Sequence, residues 1–137
     1  FMQYLKRGED FITPEGEIVA NELLTVAPPP ARSFAYMTDT LFRERFADYV
    51  KGVDLLYHEA TYMNADAVLA KESYHSTTGQ AARIAELAGV GKLLLRHFSA
   101  RYTECSELLA EAREVFPNTF LCSDGDLFEV PAVKRRS

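Results

Sequence analysis

The sequence is poor in cysteine, in basic charge and in long apolar runs, and each shortage removes a class of protein. Cys105 and Cys122 are its only cysteines. Two thiols make no disulfide framework, which points to a reducing cytoplasm and to both residues as small buried hydrophobes. No apolar run approaches the roughly 18–20 residues of a membrane span, so no membrane partner is expected. The start, Phe1 to Asp10, lacks the order of basic, apolar and small residues that marks an export leader. Lys and Arg number 15 against 20 Asp and Glu, a net charge of −5. That balance argues against a grip on nucleic acid spread over the whole surface, while leaving room for a local basic site. The one basic cluster, Lys134-Arg135-Arg136, reads as a solvated tail. There is no internal repeat and no low-complexity segment.

What is present is an ordinary globular composition, 47% hydrophobic and 26% charged over 137 residues. The length fits a single domain, 1–137, burying about two-thirds of its unfolded surface. Short apolar runs alternate with helical patterns. Strands are expected at Ser33–Thr38, Val53–Tyr57, Lys92–Arg96, Thr119–Cys122 and Asp126–Val130. Helices are expected near Leu41–Val50, Ala65–Lys71, Thr78–Ala88 and Glu104–Val115, from apolar residues recurring at i, i+4, i+7 and i+8. Ser76 or Thr77 can cap the start of the third helix, and Gly89 sits where its C-terminal cap belongs. Such alternation means an α/β layer, mostly parallel, with right-handed crossovers. Residues 1–26 read less clearly, with Glu17–Val26 fitting strand or helix, and 131–137 reads as a flexible tail.

Three polar clusters directly follow three strands: Thr38-Asp39-Thr40, His58-Glu59-Ala60-Thr61 and His97-Phe98-Ser99. In a parallel sheet those positions share the carboxyl edge, where α/β folds bind ligands. A fourth cluster, Tyr74-His75-Ser76-Thr77-Thr78, precedes a helix whose N-terminus favours an anion. The chain's three histidines all belong to this set. Asp, Glu and His at one rim suit a cation such as Zn²⁺ or Mn²⁺, and equally suit metal-free acid–base work by a His–Glu pair. Each residue also has a plainer reading. His58 fits a hydrogen-bonded structural histidine, and Asp39 between two threonines fits a helix cap.

The stretches Tyr36-Met37-Thr38-Asp39-Thr40, His58-Glu59-Ala60-Thr61, His75-Ser76-Thr77 and His97-Phe98-Ser99-Ala100-Arg101-Tyr102 carry a family resemblance over about Ser33 to Val130. The chain resembles the C-terminal half of ribonuclease Z, the tRNA 3′-processing endoribonuclease of the metallo-β-lactamase fold. The resemblance implies an α/β fold: half of an αββα sandwich, a mixed sheet covered by helices on one face. It implies a metal-dependent endoribonuclease that removes 3′ trailers from precursor tRNA. Asp39 would bridge two metal ions, and His97 would ligate one of them. The ions would be Zn²⁺, with Mn²⁺ or Mg²⁺ as alternatives. His75 would protonate the leaving 3′ oxygen, with Glu59 orienting it. Arg101, and more weakly Ser99, would hold substrate phosphate.

The chain departs from the family pattern at several points. The histidine-rich signature, a later histidine ligand and the tRNA-gripping arm are absent. The chain therefore reads as part of an enzyme, inactive alone, whose missing N-terminal half supplies the remaining ligands. Arg96 replaces the hydroxyl residue usual before His97, setting a cation beside the metal site unless its side chain turns away. The bared sheet face predicts a homodimer. The alternatives are another phosphodiesterase of the same fold, or an interaction module that lost its metal site.

Overall fold

The computed structural model describes residues 1–130; the expected tail 131–137, with Lys134-Arg135-Arg136, lies outside the described residues. The chain divides into two compact units, one of Phe1–Ala31 and one beginning at Arg32.

The smaller unit holds helix α1 (Met2–Leu5), strands β1 (Phe11–Ile12) and β2 (Ile18–Val19), and helix α2 (Asn21–Leu24). The stretch Glu17–Val26 thus contains a strand and a helix in succession. The β1–β2 pair is antiparallel, with Phe11 opposite Val19. Asn21 ties the unit together by donating its side-chain amide to the carbonyls of Leu5 (2.8 Å) and Glu9 (2.9 Å).

The larger unit is built on strands β3 (Phe34–Met37), β4 (Leu55–Glu59), β5 (Lys92–Arg96) and β6 (Thr119–Leu121). They lie side by side in chain order and all pair in parallel. The expected mixed sheet is therefore a parallel one, and among the described residues antiparallel pairing occurs only between β1 and β2. The last expected strand, Asp126–Val130, does not form. There Asp126 accepts the Ser123 N–H in a turn (2.8 Å), while Phe128 and Val130 pack beside Leu55, Leu94 and Cys122.

Helices α3 (Ala67–Glu72), α4 (Thr78–Ala88) and α5 (Cys105–Val115) fill the connections. One face of the sheet meets them through Leu56, Leu93 and Leu95, which pack with Ala81, Ile84, Ala85 and Ala88 of α4 and Ala112 of α5. Burying each such leucine is worth about 1.5–3 kcal/mol. Helix α4 has a full capping box: the Gln80 N–H donates to Thr77 Oγ1 (3.1 Å), and the Thr77 N–H donates to Gln80 Oε1 (3.0 Å). Gly89 ends it in the left-handed region at φ 62°. Of the two cap candidates, Thr77 is the cap.

Two elements differ from expectation in ways that shape the site. The helix expected over Leu41–Val50 is a shorter 3₁₀ segment, Glu44–Val50. The chain before it is held elsewhere: the Thr40 N–H goes to Glu59 Oε1 (3.2 Å), and the Thr40 carbonyl accepts Ser76 Oγ (2.7 Å). Strand β4 starts two residues later than its apolar run, where Asp54 is tied to Ser33 just ahead of β3. The Asp54 carboxylate accepts the Ser33 N–H (2.8 Å) and Ser33 Oγ (3.0 Å). The ladder then runs on through His58, opposite Met37, and Glu59, opposite Arg96.

The second sheet face is less covered. Leu55 and Leu94 are buried there, but Phe34 and Tyr36 on edge strand β3 are 56% and 61% exposed. Tyr36 stacks on Tyr57 with ring centroids 4.4 Å apart. Burial and the Tyr36 hydroxyl beside it push the Tyr57 phenol up to about 12.

A candidate metal and acid–base site at the sheet's carboxyl edge

Three loops converge where β3, β4 and β5 end. The residues after β3 and β5 that carry the chemistry, Asp39 and His97, have positive φ values of 49° and 67°. Asp and His are among the residues that enter this region most readily. The sharp turns redirect both side chains out of their strand directions, so that His97 Nε2 comes to 3.5 Å from Asp39 Oδ1. The third such residue is Tyr74, φ 61°, immediately before His75. The His75 N–H donates to the Ala70 carbonyl (2.8 Å), which fastens this turn to the end of α3.

A short parallel bridge between Tyr62 and Thr77 joins the segment after β4 to the start of α4. It brings His75 over Glu59. Glu59 is fully buried and accepts five hydrogen bonds. Its Oε1 takes the N–H groups of Thr40 (3.2 Å) and Ser76 (3.0 Å) and His75 Nδ1 (2.9 Å). Its Oε2 takes the N–H (3.0 Å) and hydroxyl (2.8 Å) of Thr61. Three of these partners are backbone N–H groups, which can only donate and so match an acceptor-only carboxylate. Glu59 is thus a buried anion stabilised by converging donors. His75 must present Nδ1–H to it, which turns Nε2 outward.

Asp39, His75 and His97 each offer one donor atom, and these atoms lie within 4.8 Å of one another. The His75 and His97 ring centroids are 5.3 Å apart. A carboxylate oxygen with imidazole nitrogens is a donor set that suits Zn²⁺ or Mn²⁺. The helix-cap alternative for Asp39 has no support in the described residues, since the next helical segment starts at Glu44 behind an extended Arg43.

His58, the remaining histidine, does not join them. Adjacent strand residues face opposite sides of a sheet, so Glu59 reaches the site and His58 cannot. The His58 ring is fully buried, its Nδ1 donates to the Glu59 carbonyl (2.7 Å), and burial holds its pKa below the ordinary imidazole value. It is the structural histidine of its plainer reading. Arg96 turns away from the site, with Nη1 3.5 Å from Ser123 Oγ and Nη2 3.9 Å from Asp124 Oδ1.

Arg101 and Ser99 lie in the loop after β5. Ser99 Oγ accepts the Arg101 N–H (3.4 Å), and the Ser99 N–H reaches the Thr61 carbonyl (2.9 Å). The Arg101 guanidinium pairs with Asp66 at 3.1 Å, and Tyr102 donates its hydroxyl to the other Asp66 oxygen. That hydroxyl, with Arg101, holds the Asp66 carboxyl below the usual carboxylate range. Burial and Asp66 raise the Tyr102 phenol. Thr61 and Tyr102 belong to the motifs that carry the resemblance, but the resemblance implies no role for either. Nothing in the sequence around Asp66 marks it as the partner of Arg101.

The sequence profile of the beta-lactamase superfamily domain matches residues 23–98. The chain belongs to this superfamily. It is 52% identical over 120 residues to a ribonuclease Z of Bacteroides fragilis, covering 88% of this chain and 40% of that protein. A ribonuclease Z of Porphyromonas gingivalis is 45% identical over 117 residues, covering 85% of this chain and 38% of that protein. The resemblance to ribonuclease Z therefore stands, over a chain that spans about two-fifths of these relatives' length. Among solved structures, the metallo-beta-lactamase fold protein YhfI of Bacillus subtilis superposes with a TM-score of 0.65 at 26% identity, covering 70% of this chain and 39% of YhfI. No helix among the described residues is long and apolar enough to cross a membrane.

Proposed function

We propose that the chain is the acid–base and partial metal-binding part of an endoribonuclease that removes 3′ trailers from precursor tRNA. The observation that carries this reading is the Glu59–His75 pair set beside Asp39 and His97. A buried carboxylate aims an imidazole Nε2 at the place where the cation donors Asp39 and His97 meet. In this reading Asp39 and His97 would hold Zn²⁺, or Mn²⁺ or Mg²⁺ in its stead, with Asp39 as the carboxylate shared between two ions and His97 as a ligand of one. Bound cations supply an activated hydroxide and stabilise the charge that develops on a phosphoryl group. His75, charged and oriented by Glu59, gives its Nε2 proton to the leaving 3′ oxygen. Arg101, held by Asp66, and Ser99 line the approach of the substrate backbone, where a guanidinium fork matches phosphate oxygens.

Two side-chain ligands for two ions fall short of the three protein ligands usual at a catalytic zinc. The remaining ligands come, in this reading, from the part of the relatives' length that the chain does not span. The exposed Phe34 and Tyr36 support packing of this sheet face on another surface, a second copy included. A cytoplasmic location accords with two free cysteines and a tRNA substrate.

The test is His75→Ala in the full-length protein. Cleavage of precursor tRNA falls about 10²–10⁴-fold, the range for a positioned proton donor, while metal content stays at the wild-type level. Substantial metal loss would make His75 a third ligand of the Asp39–His97 centre and remove it from the acid role.

A further inference from the structure

Thr61 stands between the two halves of the site. Its hydroxyl lies 2.8 Å from Glu59 Oε2 and 3.0 Å from His97 Nδ1. A hydroxyl has one proton and two lone pairs. Glu59 takes three backbone N–H groups, from Thr40, Ser76 and Thr61, which can only donate, so its carboxylate stands as an acceptor. If Thr61 gave its proton to His97, two oxygen lone pairs would face each other at 2.8 Å inside a buried pocket, a repulsive contact at that range. The Thr61 proton therefore goes to Glu59. The Thr61 oxygen can then only accept, and the atom it accepts from is His97 Nδ1–H.

The consequence fixes the second imidazole. With its proton on Nδ1, neutral His97 carries a bare lone pair on Nε2, the nitrogen that faces Asp39. We propose that Thr61 is a positioning residue that relays the negative charge of Glu59 to His97 and holds it in the Nδ1–H tautomer, with Nε2 free to bind a cation. One buried carboxylate thus sets both imidazoles, His75 by direct contact and His97 through a hydroxyl. Metal-binding histidines are commonly held by a carboxylate or carbonyl on their second nitrogen; here a threonine is interposed because Glu59 is already committed to His75. The proposal rests on the metal reading of Asp39 and His97 for its purpose, and on the hydrogen-bond geometry alone for its tautomer.

The experiment reads the tautomer directly in the metal-free 137-residue chain. Long-range ¹H–¹⁵N correlation spectra are recorded at about pH 8, above the ordinary imidazole value. Wild type is expected to show a pyrrole-type shift at His97 Nδ1 and a pyridine-type shift at Nε2. Thr61→Ser keeps that pattern. Thr61→Val, which keeps the shape but removes the hydroxyl, gives averaged or reversed shifts at His97 while the shifts of His75 stay in place. Zinc affinity of the full-length protein, from competition with a chromophoric chelator, falls roughly 10–100-fold in Thr61→Val and little in Thr61→Ser. A wild-type His97 protonated on Nε2 overturns the proposal, and so does a Thr61→Val protein with unchanged His97 shifts. Should Thr61→Val fail to fold, the wild-type and Thr61→Ser spectra still decide. A correct tautomer in the 137-residue chain, together with a zinc-loaded full-length protein that does not cleave precursor tRNA, would refute the nuclease reading and leave the relay intact.

Discussion

At the scale of single residues, the site rests on the contrast between two neighbours, His58 and Glu59. Both end an apolar strand, and both belong to the motif that carried the family resemblance. The strand's alternation sends one into the packed interior and the other to the carboxyl edge. The buried histidine makes a prediction about pH. Its folded pKa lies below the ordinary value of 6.5, so the unfolded chain takes up a proton that the folded chain refuses. Stability is then highest above the unfolded value and falls as pH drops through about 6.5, with a slope approaching 1.4 kcal/mol per pH unit from this group. In His58→Gln that component vanishes. Denaturant unfolding at pH 8, 7, 6 and 5 checks it: the wild-type loss over this range exceeds that of the variant. Equal losses would mean that His58 titrates alike in both states.

How far the residues disclosed this site depends on which property is asked of them. That Asp39, Glu59, His75 and His97 share one edge followed from their places after strands and before a helix. That His58 does not join them could not be read from the apolar run, because the ladder continues two residues beyond it. The anchoring of Arg101 by Asp66 links positions 35 apart, with α3, α4 and β5 between them, and no periodic pattern encodes it.

Among the elements, α4 and β5 have the bounds that their residues predict, because each has local punctuation. Helix α4 has a capping box at one end and a left-handed glycine at the other. The segment over Leu41–Val50 has the apolar spacing of a helix, yet Thr40, just before it, is claimed by Glu59 and Ser76. Tertiary hydrogen bonds override the periodic signal there. The cap gives the prediction at this scale. Thr77 Oγ1 accepts the Gln80 N–H and donates to Asn64 Oδ1 (2.7 Å). Thr77→Ala should cost about 0.5–2 kcal/mol from the lost cap, with a further cost for the unpaired Asn64. Thr77→Ser should recover most of it. Urea denaturation of the three proteins measures the difference, and an alanine variant as stable as wild type would show that the cap contributes nothing here.

For the molecule as a whole, the prediction concerns the chain by itself. With Asp39 and His97 as side-chain ligands and His75 committed to Glu59, the 137-residue protein should bind zinc weakly and leave precursor tRNA uncut. Metal analysis and a cleavage assay with added Zn²⁺ or Mn²⁺ test this together. Robust production of a 3′-hydroxyl tRNA end, abolished by His97→Ala, would show that the chain holds a complete active site.

The order of strands in the parallel sheet also has a consequence for synthesis on the ribosome. The sheet adds its strands in the order in which they are translated, from β3 to β6, and the site residues emerge in the same succession. Glu59 finds the backbone donors of Thr40, Thr61 and Ser76, and its imidazole partner His75, in chain already made before His97 is translated. The cation-binding corner is completed only by residues after β5, so a chain ending before His97 would lack one of the two proposed ligands.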